Sequence, residues 1–270
     1  MKYKLFLSDF DGTLVRSDGT ISEKNKRAIA AYRAAGGIFA VCTGRMLASI
    51  LPRLKELGIE NGLVVAYQGA TIADVATGEL VKDDAFSKED ALLAVRTLEE
   101  KGRHVHVYTA GEMYANRRDK ALEIYEHICG VRAKIVEDMP LSELVEKQRL
   151  RVIKVLAMVA PEERGALIEE ITPRLGEGFF VTCSADVLVE IMPKGQSKAA
   201  AVDFLSEKYH VPAENIAAIG DQMNDLPMIL RAGGKFAVAN AAQPLKDAAH
   251  VVANFEQDGV AEALAIAMQD

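Results

Sequence analysis

Cysteine is scarce. The chain of 270 residues has three, Cys42, Cys129 and Cys183, far apart and without a Cys-x-x-Cys pair. That excludes a disulfide scaffold and fits free thiols in a reducing compartment. Long uncharged apolar runs are missing too, so no segment approaches the length that spans a bilayer. The apolar run at the N-terminus reaches Asp9 at once and is far too short for a secretory signal. Basic charge is not in excess. With 32 Lys and Arg against 39 Asp and Glu the formal charge is −7, which argues against a nucleic-acid-binding surface. Internal repeats and low-complexity stretches are absent. These absences together predict a cytoplasmic, soluble protein with neither a membrane nor a nucleic acid as partner. A net negative charge still admits an anionic substrate, because a metal ion and a few local cations can reverse the sign inside one pocket.

What is present is ordinary globular material, half of it apolar and about a quarter charged. The length suits one large domain or two of common size. Near the N-terminus, Leu5-Phe6-Leu7-Ser8 reads as a buried strand that runs into Asp9-Phe10-Asp11-Gly12-Thr13-Leu14. Ser22 is a plausible cap for a helix through Ala35, closed by Gly36-Gly37. A second strand, Ile38 to Cys42, ends in Thr43-Gly44-Arg45. A helix from about Met46 to Leu57 follows, with Pro52 expected to kink it or mark a late start. A third strand, Leu63 to Tyr67, ends at Gln68-Gly69-Ala70. Strand and helix alternating over short connections predict a parallel α/β sheet with crossover helices.

After about Val81 the rhythm changes to a mixed α+β block. Its elements are a helix over Lys88–Lys101 capped by Ser87, strands at His104–Tyr108, around Val131–Val136 and at Arg151–Val159, and a helix near Lys120–Ile128. A helix over Pro161–Leu175 and strands at Phe179–Cys183 and Val187–Met192 complete it. From Pro193 the first rhythm returns, with a helix from Ser197-Lys198 to Lys208 and a strand at Asn215–Ile219 ending in Gly220-Asp221-Gln222-Met223-Asn224-Asp225. The fold class expected is a Rossmann-like parallel-sheet core, residues 1–81 and 190–270, interrupted by an inserted α+β cap domain, residues 82–189.

In a parallel sheet, ligands bind beyond the carboxyl ends of the strands. Asp9 and Asp11, Thr43, and Asp221 with Asp225 all end strands there, and Lys198 opens a helix beside them. If a helix starts at Asp221, it and Asp225 share a face. Oxygen-only acidic ligands favour a hard cation such as Mg²⁺. A carboxylate, a hydroxyl, a lysine and a divalent cation suit phosphoryl transfer, which is mostly positioning and charge neutralisation. An aspartate meeting a phosphate dianion at about 3.5 Å, with an effective dielectric near 20, is repelled by roughly 9 kcal/mol. Left alone that slows attack by about 10⁶- to 10⁷-fold, so Mg²⁺ and Lys198 are needed to offset it. Thr43 can donate to a phosphoryl oxygen, Asn224 to a phosphate or a carboxylate, and Asp11 can serve as acid and base. A covalent aspartyl-phosphate on Asp9 splits one hard hydrolysis into two steps.

Elsewhere the blander readings prevail. Arg117-Arg118 with Lys120 reads as a solvated helix start. His104 and His106 alternate on a strand but have no further ligand in view, so they read as ordinary residues of the inserted domain and not a metal pair.

The four motifs in order resemble those of the haloacid dehalogenase-like phosphatases, specifically the Cof-type group, subclass IIB. Asp9-Phe10-Asp11-Gly12-Thr13-Leu14 resembles the nucleophile motif and Thr43-Gly44-Arg45 the second. Lys198 within Gly195-Gln196-Ser197-Lys198 matches the third, and Gly220-Asp221-Gln222-Met223-Asn224-Asp225 the fourth. Asn240-Ala241 and Asp258-Gly259-Val260 also sit where the group has comparable residues. The resemblance implies that Asp9 is the nucleophile, Asp11 the general acid/base, and Thr43 and Lys198 the holders of the phosphoryl group. Gly44 and Asn224 are candidate substrate contacts, and Arg45 is a candidate for either a substrate contact or a structural ion pair. Mg²⁺ would be held by Asp9, the Asp11 carbonyl and Asp221, with Asp225 acting through water or from behind. Gln68 departs from the asparagine that this group often has before Gly-Ala. The implied function is a Mg²⁺-dependent phosphatase of a small phosphorylated metabolite, a sugar phosphate, nucleotide or cofactor phosphate. The competing readings are a phosphomutase and a non-catalytic sensor of a phosphorylated ligand.

Overall fold

A computed structural model describes residues 1–183 and 186–269; Ser184, Ala185 and Asp270 lie outside the described residues. The chain first lays down β1 (Leu5–Ser8), α1 (Glu23–Ala34), β2 (Ile38–Cys42), α2 (Leu47–Glu56), β3 (Leu63–Ala66), β4 (Thr71–Asp74) and β5 (Leu80–Asp83). Then come α3 (Lys88–Glu99), β6 (His104–Tyr108), β7 (Met113–Ala115), α4 (Lys120–Cys129), β8 (Lys134–Ile135) and α5 (Leu141–Gln148). These are followed by β9 (Lys154–Met158), α6 (Arg164–Leu175), β10 (Phe179–Thr182) and β11 (Leu188–Pro193). The last run is α7 (Lys198–Tyr209), β12 (Ile216–Gly220), α8 (Leu226–Arg231), β13 (Gly234–Val238), α9 (Gln243–Ala248), β14 (His250–Val252) and α10 (Gly259–Ala267).

The residues cluster in two compact units. The first is Met1–Gly44, Ile50–Lys82 and the chain from Ser197 onward; the second is Arg45–Ser49 with Asp83–Gln196. The return to the first unit comes at Ser197, later than the boundary at residue 190 that the sequence rhythm suggests. The reason is β11, which runs unbroken past that point and pairs antiparallel with both β9 and β10.

The first unit holds one sheet in the order β14-β13-β12-β1-β2-β3-β4-β5. From β14 to β3 every pairing is parallel, and β3–β4 is antiparallel. Buried apolar strands explain the continuous hydrophobic runs in the sequence. Phe6 on β1 is fully buried and stacks on Phe39 and Phe236, each with ring centroids 6.1 Å away. Burying one such side chain contributes about 1.5–3 kcal/mol. The expected serine caps form: Ser22 accepts from the Asn25 N–H at 3.0 Å, and Ser197 from the Ala200 N–H at 3.4 Å. Pro52 sits inside α2 without ending it. Asn25 is fully buried and joins two helices, its Oδ1 accepting from the Ala261 N–H of α10 at 2.9 Å.

The second unit is a six-stranded sheet, β10-β11-β9-β6-β7-β8, antiparallel except for β7–β8. Its core includes Leu92, Val95 and Leu98 of α3 packed with Val105, Val107, Val155 and Ile171. His104 and His106 are buried on β6 and bond to each other, Nε2 to Nε2 at 3.3 Å. His104 Nδ1 meets Asp119 Oδ2 at 2.9 Å, and His106 Nδ1 meets the Tyr108 hydroxyl at 3.3 Å. Burial, above all, pushes the His106 pKa down to about 3 and keeps that ring neutral. Arg117, Arg118 and Lys120 are exposed at the start of α4, as expected, and both Nη atoms of Arg118 donate to Glu126 at 3.1 Å. Among the described residues no helix is long and apolar enough to cross a membrane.

Candidate active site

Register decides which strand tips meet. Ser8 pairs with Val41 of β2 on one side and Ile219 of β12 on the other. The next residues along are Asp9, Cys42 and Gly220, and one step further lie Thr43 and Asp221. The tips predicted to carry chemistry are therefore neighbours on one edge, held by the Asp9 N–H donating to the Ile219 carbonyl at 3.0 Å.

Three carboxylates and one ammonium gather there. Asp9, Asp221 and Asp225, all buried, each offer an oxygen within 4.8 Å of the others. Lys198, the first residue of α7, is fully buried and its Nζ lies 2.5 Å from both Asp9 Oδ1 and Asp225 Oδ1. Asp225 Oδ2 turns the other way and accepts from the Asp221 and Gln222 N–H groups at 3.0 and 3.1 Å. Its oxygens are thus committed to Lys198 and to the loop. Asp221 is oriented by Thr13 Oγ1 and Gln222 Nε2, each donating at 3.2 Å. No helix spans Asp221 to Asp225, since α8 starts only at Leu226. The two acids converge because Asp225 folds back onto the turn that precedes it, not because they share a helix face.

The chain turns away from Asp9 quickly. Phe10 is buried, and its carbonyl accepts from the Leu14 and Val15 N–H groups at 3.0 and 2.9 Å. Asp11 is exposed at the start of that turn, and Gly12 follows with φ +76°. A side chain at Gly12 is excluded twice over, since a Cβ there would stand 2.6 Å from Asp221 Oδ2. Thr43 is buried beside β3, its N–H donating to the Val65 carbonyl at 2.9 Å and its carbonyl accepting from the Gln68 N–H at 3.0 Å. Gln68 has a left-handed backbone, φ 56°, which a short asparagine tolerates more easily. Its longer side chain is used: Gln68 Oε1 accepts from the exposed Asn224 Nδ2 at 3.2 Å. Arg45 lies in the stretch that clusters with the second unit, where its Nη1 meets Ser49 Oγ at 3.4 Å. Gly44 precedes it at the end of the first unit's opening segment.

The electrostatics of the cluster are lopsided. Two carboxylate charges about 4.8 Å apart repel by roughly 3 kcal/mol at an effective dielectric of 20, and one ammonium serves three acids. Burial first, and then the Asp225 and Asp221 charges, push the Asp9 pKa up to about 8 against the pull of Lys198. Asp221 is pushed up by burial and by Asp225. Burial works against the Lys198 charge, but Asp9 and Asp225 outweigh it and hold the ammonium protonated. Such a cluster fits a further cation. Its donors are oxygen only, which suits a hard divalent ion, and Asp9 and Asp221 are the carboxylates with capacity to hold one.

Of the residues expected at the site, the structure gathers Asp9, Asp221, Asp225 and Lys198 in one cluster. Sequence reasoning missed Thr13 and Gln222 as partners of Asp221, and Gln68 as partner of Asn224. A threonine directly after Asp-Gly and a glutamine directly after Gly-Asp carry no signal that separates them from ordinary turn residues.

A carboxylate cluster at the tips of a parallel sheet lies where α/β folds bind their ligands. A sequence model of the haloacid dehalogenase-like hydrolases matches residues 6–264, and the chain belongs to that family. It is 26% identical to an HMP-PP phosphatase of Yersinia pseudotuberculosis over 268 residues, 97% of this chain and 94% of that protein. Among solved structures, TM0651 of Thermotoga maritima aligns with a TM-score of 0.90 at 28% identity, covering 99% of this chain and 98% of its own. The subclass IIB sugar phosphatase BT4131 aligns with a TM-score of 0.79 at 22% identity, over 97% of this chain and 98% of its own, a likeness of fold.

Proposed function

We propose that this enzyme is a Mg²⁺-dependent phosphatase of small phosphorylated metabolites, with Asp9 as nucleophile. The observation that carries the reading is the buried Lys198 ammonium 2.5 Å from both Asp9 and Asp225, with Asp221 in the same cluster. The Yersinia relative, named an HMP-PP phosphatase, supports a small phosphorylated substrate. A divalent cation held by Asp9 and Asp221 would supply the charge that keeps both ionised and offsets that of the phosphate.

Each residue then has a defined task. A carboxylate oxygen of Asp9 attacks phosphorus, forming an acyl-phosphate bond as the bond from phosphorus to the leaving oxygen breaks. Asp11, exposed two residues on, gives its proton to that leaving oxygen. Water then attacks phosphorus, Asp11 takes the proton back, and inorganic phosphate leaves with Asp9 restored. Lys198 and Thr43 hold the phosphoryl oxygens, and Asp225 keeps Lys198 in place.

Phosphate release from a generic aryl phosphate tests this. The wild type should turn over with Mg²⁺ and stop with chelator, and Asp9→Asn should lose at least about 10³-fold in kcat. Full turnover by pure Asp9→Asn protein would overturn the assignment. Isomerised sugar phosphate without free phosphate would replace hydrolysis by mutase chemistry.

A further inference from the structure

The turn after β13 touches both acidic loops. Asn240 Nδ2 donates to the Gly12 carbonyl at 2.9 Å, while its Oδ1 accepts from the Phe255 N–H at 3.2 Å. Both contacts require the same orientation of the amide. Two residues on, the Ala242 N–H donates to the Asp221 carbonyl at 2.8 Å, and the turn is closed by the Ala241 N–H on the Val238 carbonyl at 2.9 Å. Gly12 packs against the Asp221 carboxylate, and its neighbour Thr13 donates to that carboxylate at 3.2 Å. One short turn therefore reaches the loop after β1 through a side chain and the loop after β12 through its backbone.

We propose that Asn240 is a positioning residue for the cation site: it fixes the Gly12 peptide against Asp221, so that Asp9 and Asp221 face one ion before it arrives. The inference rests on the metal reading above. Without the Asn240 bond, the Gly12 peptide is free to rotate, Asp221 loses the surface it rests on, and ion binding has to order both loops. Groups that orient metal-binding carboxylates typically change affinity 10- to 100-fold when removed.

Two variants separate this from a role in holding the turn together. Asn240→Ala removes both bonds. Asn240→Asp keeps the acceptor for Phe255 but sets oxygen against the Gly12 carbonyl. Its added negative charge by itself favours a cation, so weaker binding isolates the lost donor. Mn²⁺ alone is titrated into the full-length protein near neutral pH, and free ion is counted by electron paramagnetic resonance, with urea midpoints measured alongside. The expected result is 10- to 100-fold weaker Mn²⁺ binding by both variants, in protein that is still folded. The Mg²⁺ concentration for half-maximal aryl phosphate turnover should rise in step, with KM restored at excess Mg²⁺. Should Asn240→Ala not fold, the isosteric Asn240→Asp carries the comparison. Wild-type affinity in a folded variant, even one of lower stability, overturns the positioning role and leaves the proposed function standing. Absence of Mn²⁺ binding by the wild type overturns both.

Discussion

Gly12 shows how little room the site leaves. Two glycines near the N-terminus share a left-handed backbone, Gly12 at φ +76° and Gly19 at φ +78°, so an added side chain strains both alike. They differ in what a Cβ would meet. At Gly12 it would stand 2.6 Å from Asp221 Oδ2, whereas at Gly19 the nearest atom is the flexible end of Arg53 at 3.7 Å. Gly12→Ala and Gly19→Ala should therefore each lose about 1–2 kcal/mol of stability. Only Gly12→Ala should also lose activity, by about 100-fold or more in kcat/KM, because it displaces a carboxylate. Thermal unfolding and aryl phosphate kinetics on the pair check this; equal kinetics would show that Asp221 tolerates displacement. At this scale the sequence was informative about identity and silent about orientation. Asp9, Asp221 and Lys198 stood out because each follows a strand or opens a helix. That Asp225 spends both oxygens on Lys198 and on its own turn is a property of the folded chain alone, as is the bond from Asn240 to Gly12 across 228 positions of chain.

Helix caps divide into those written locally and those supplied from afar. Ser22, Ser87 and Ser197 each precede the helix they cap, and each accepts an N–H three residues on. All three were legible. Helix α5 has Pro140 at its start and no local cap; the Glu99 carboxylate, 42 residues earlier, accepts from the Leu141 N–H at 2.6 Å instead. With no capping residue before it, the helix is marked in the sequence only by the spacing of Leu141, Leu144 and Val145, and it was passed over. The antiparallel β4 was passed over in the same way, because its four residues follow a left-handed turn rather than a crossover helix. Glu99→Ala should remove both the acceptor and a favourable charge at the α5 N-terminus, costing about 1–2 kcal/mol. Amide exchange over Leu141–Gln148 should quicken by the matching factor, with Mg²⁺ binding unaffected. Unchanged exchange there would mean that water replaces the cap.

Across the whole molecule, the crowded acids make stability depend on pH and on cations together. Asp9 in the folded, metal-free protein holds its proton up to about pH 8, against an ordinary value of 3.8. The folded state thus binds more protons than the unfolded chain between those limits. This contribution to stability is complete below the ordinary value and is lost as pH rises through about 8. Asp221, also pushed up, acts in the same direction. The melting temperature without divalent cation should fall between pH 5 and 8, and Mg²⁺ should raise it most at the upper end, where both acids must ionise. A Mg²⁺ shift of the same size at both ends would contradict the raised values. Fold class was readable at this level because strands ending in Asp, Thr and Asp recur on either side of an interruption. The residue at which the interruption closes was not, since β11 carries the same apolar signature as a core strand.

That interruption has a second property. Gln196 Nε2 donates to Asp84 Oδ2 at 3.0 Å, which pins together the two places where the segment Asp83–Gln196 is spliced into the chain. An insert whose entrance and exit are knotted to each other behaves as a cassette. The acidic hearth is built from strands on either side of the splice, so a change inside the cassette leaves its chain connections intact.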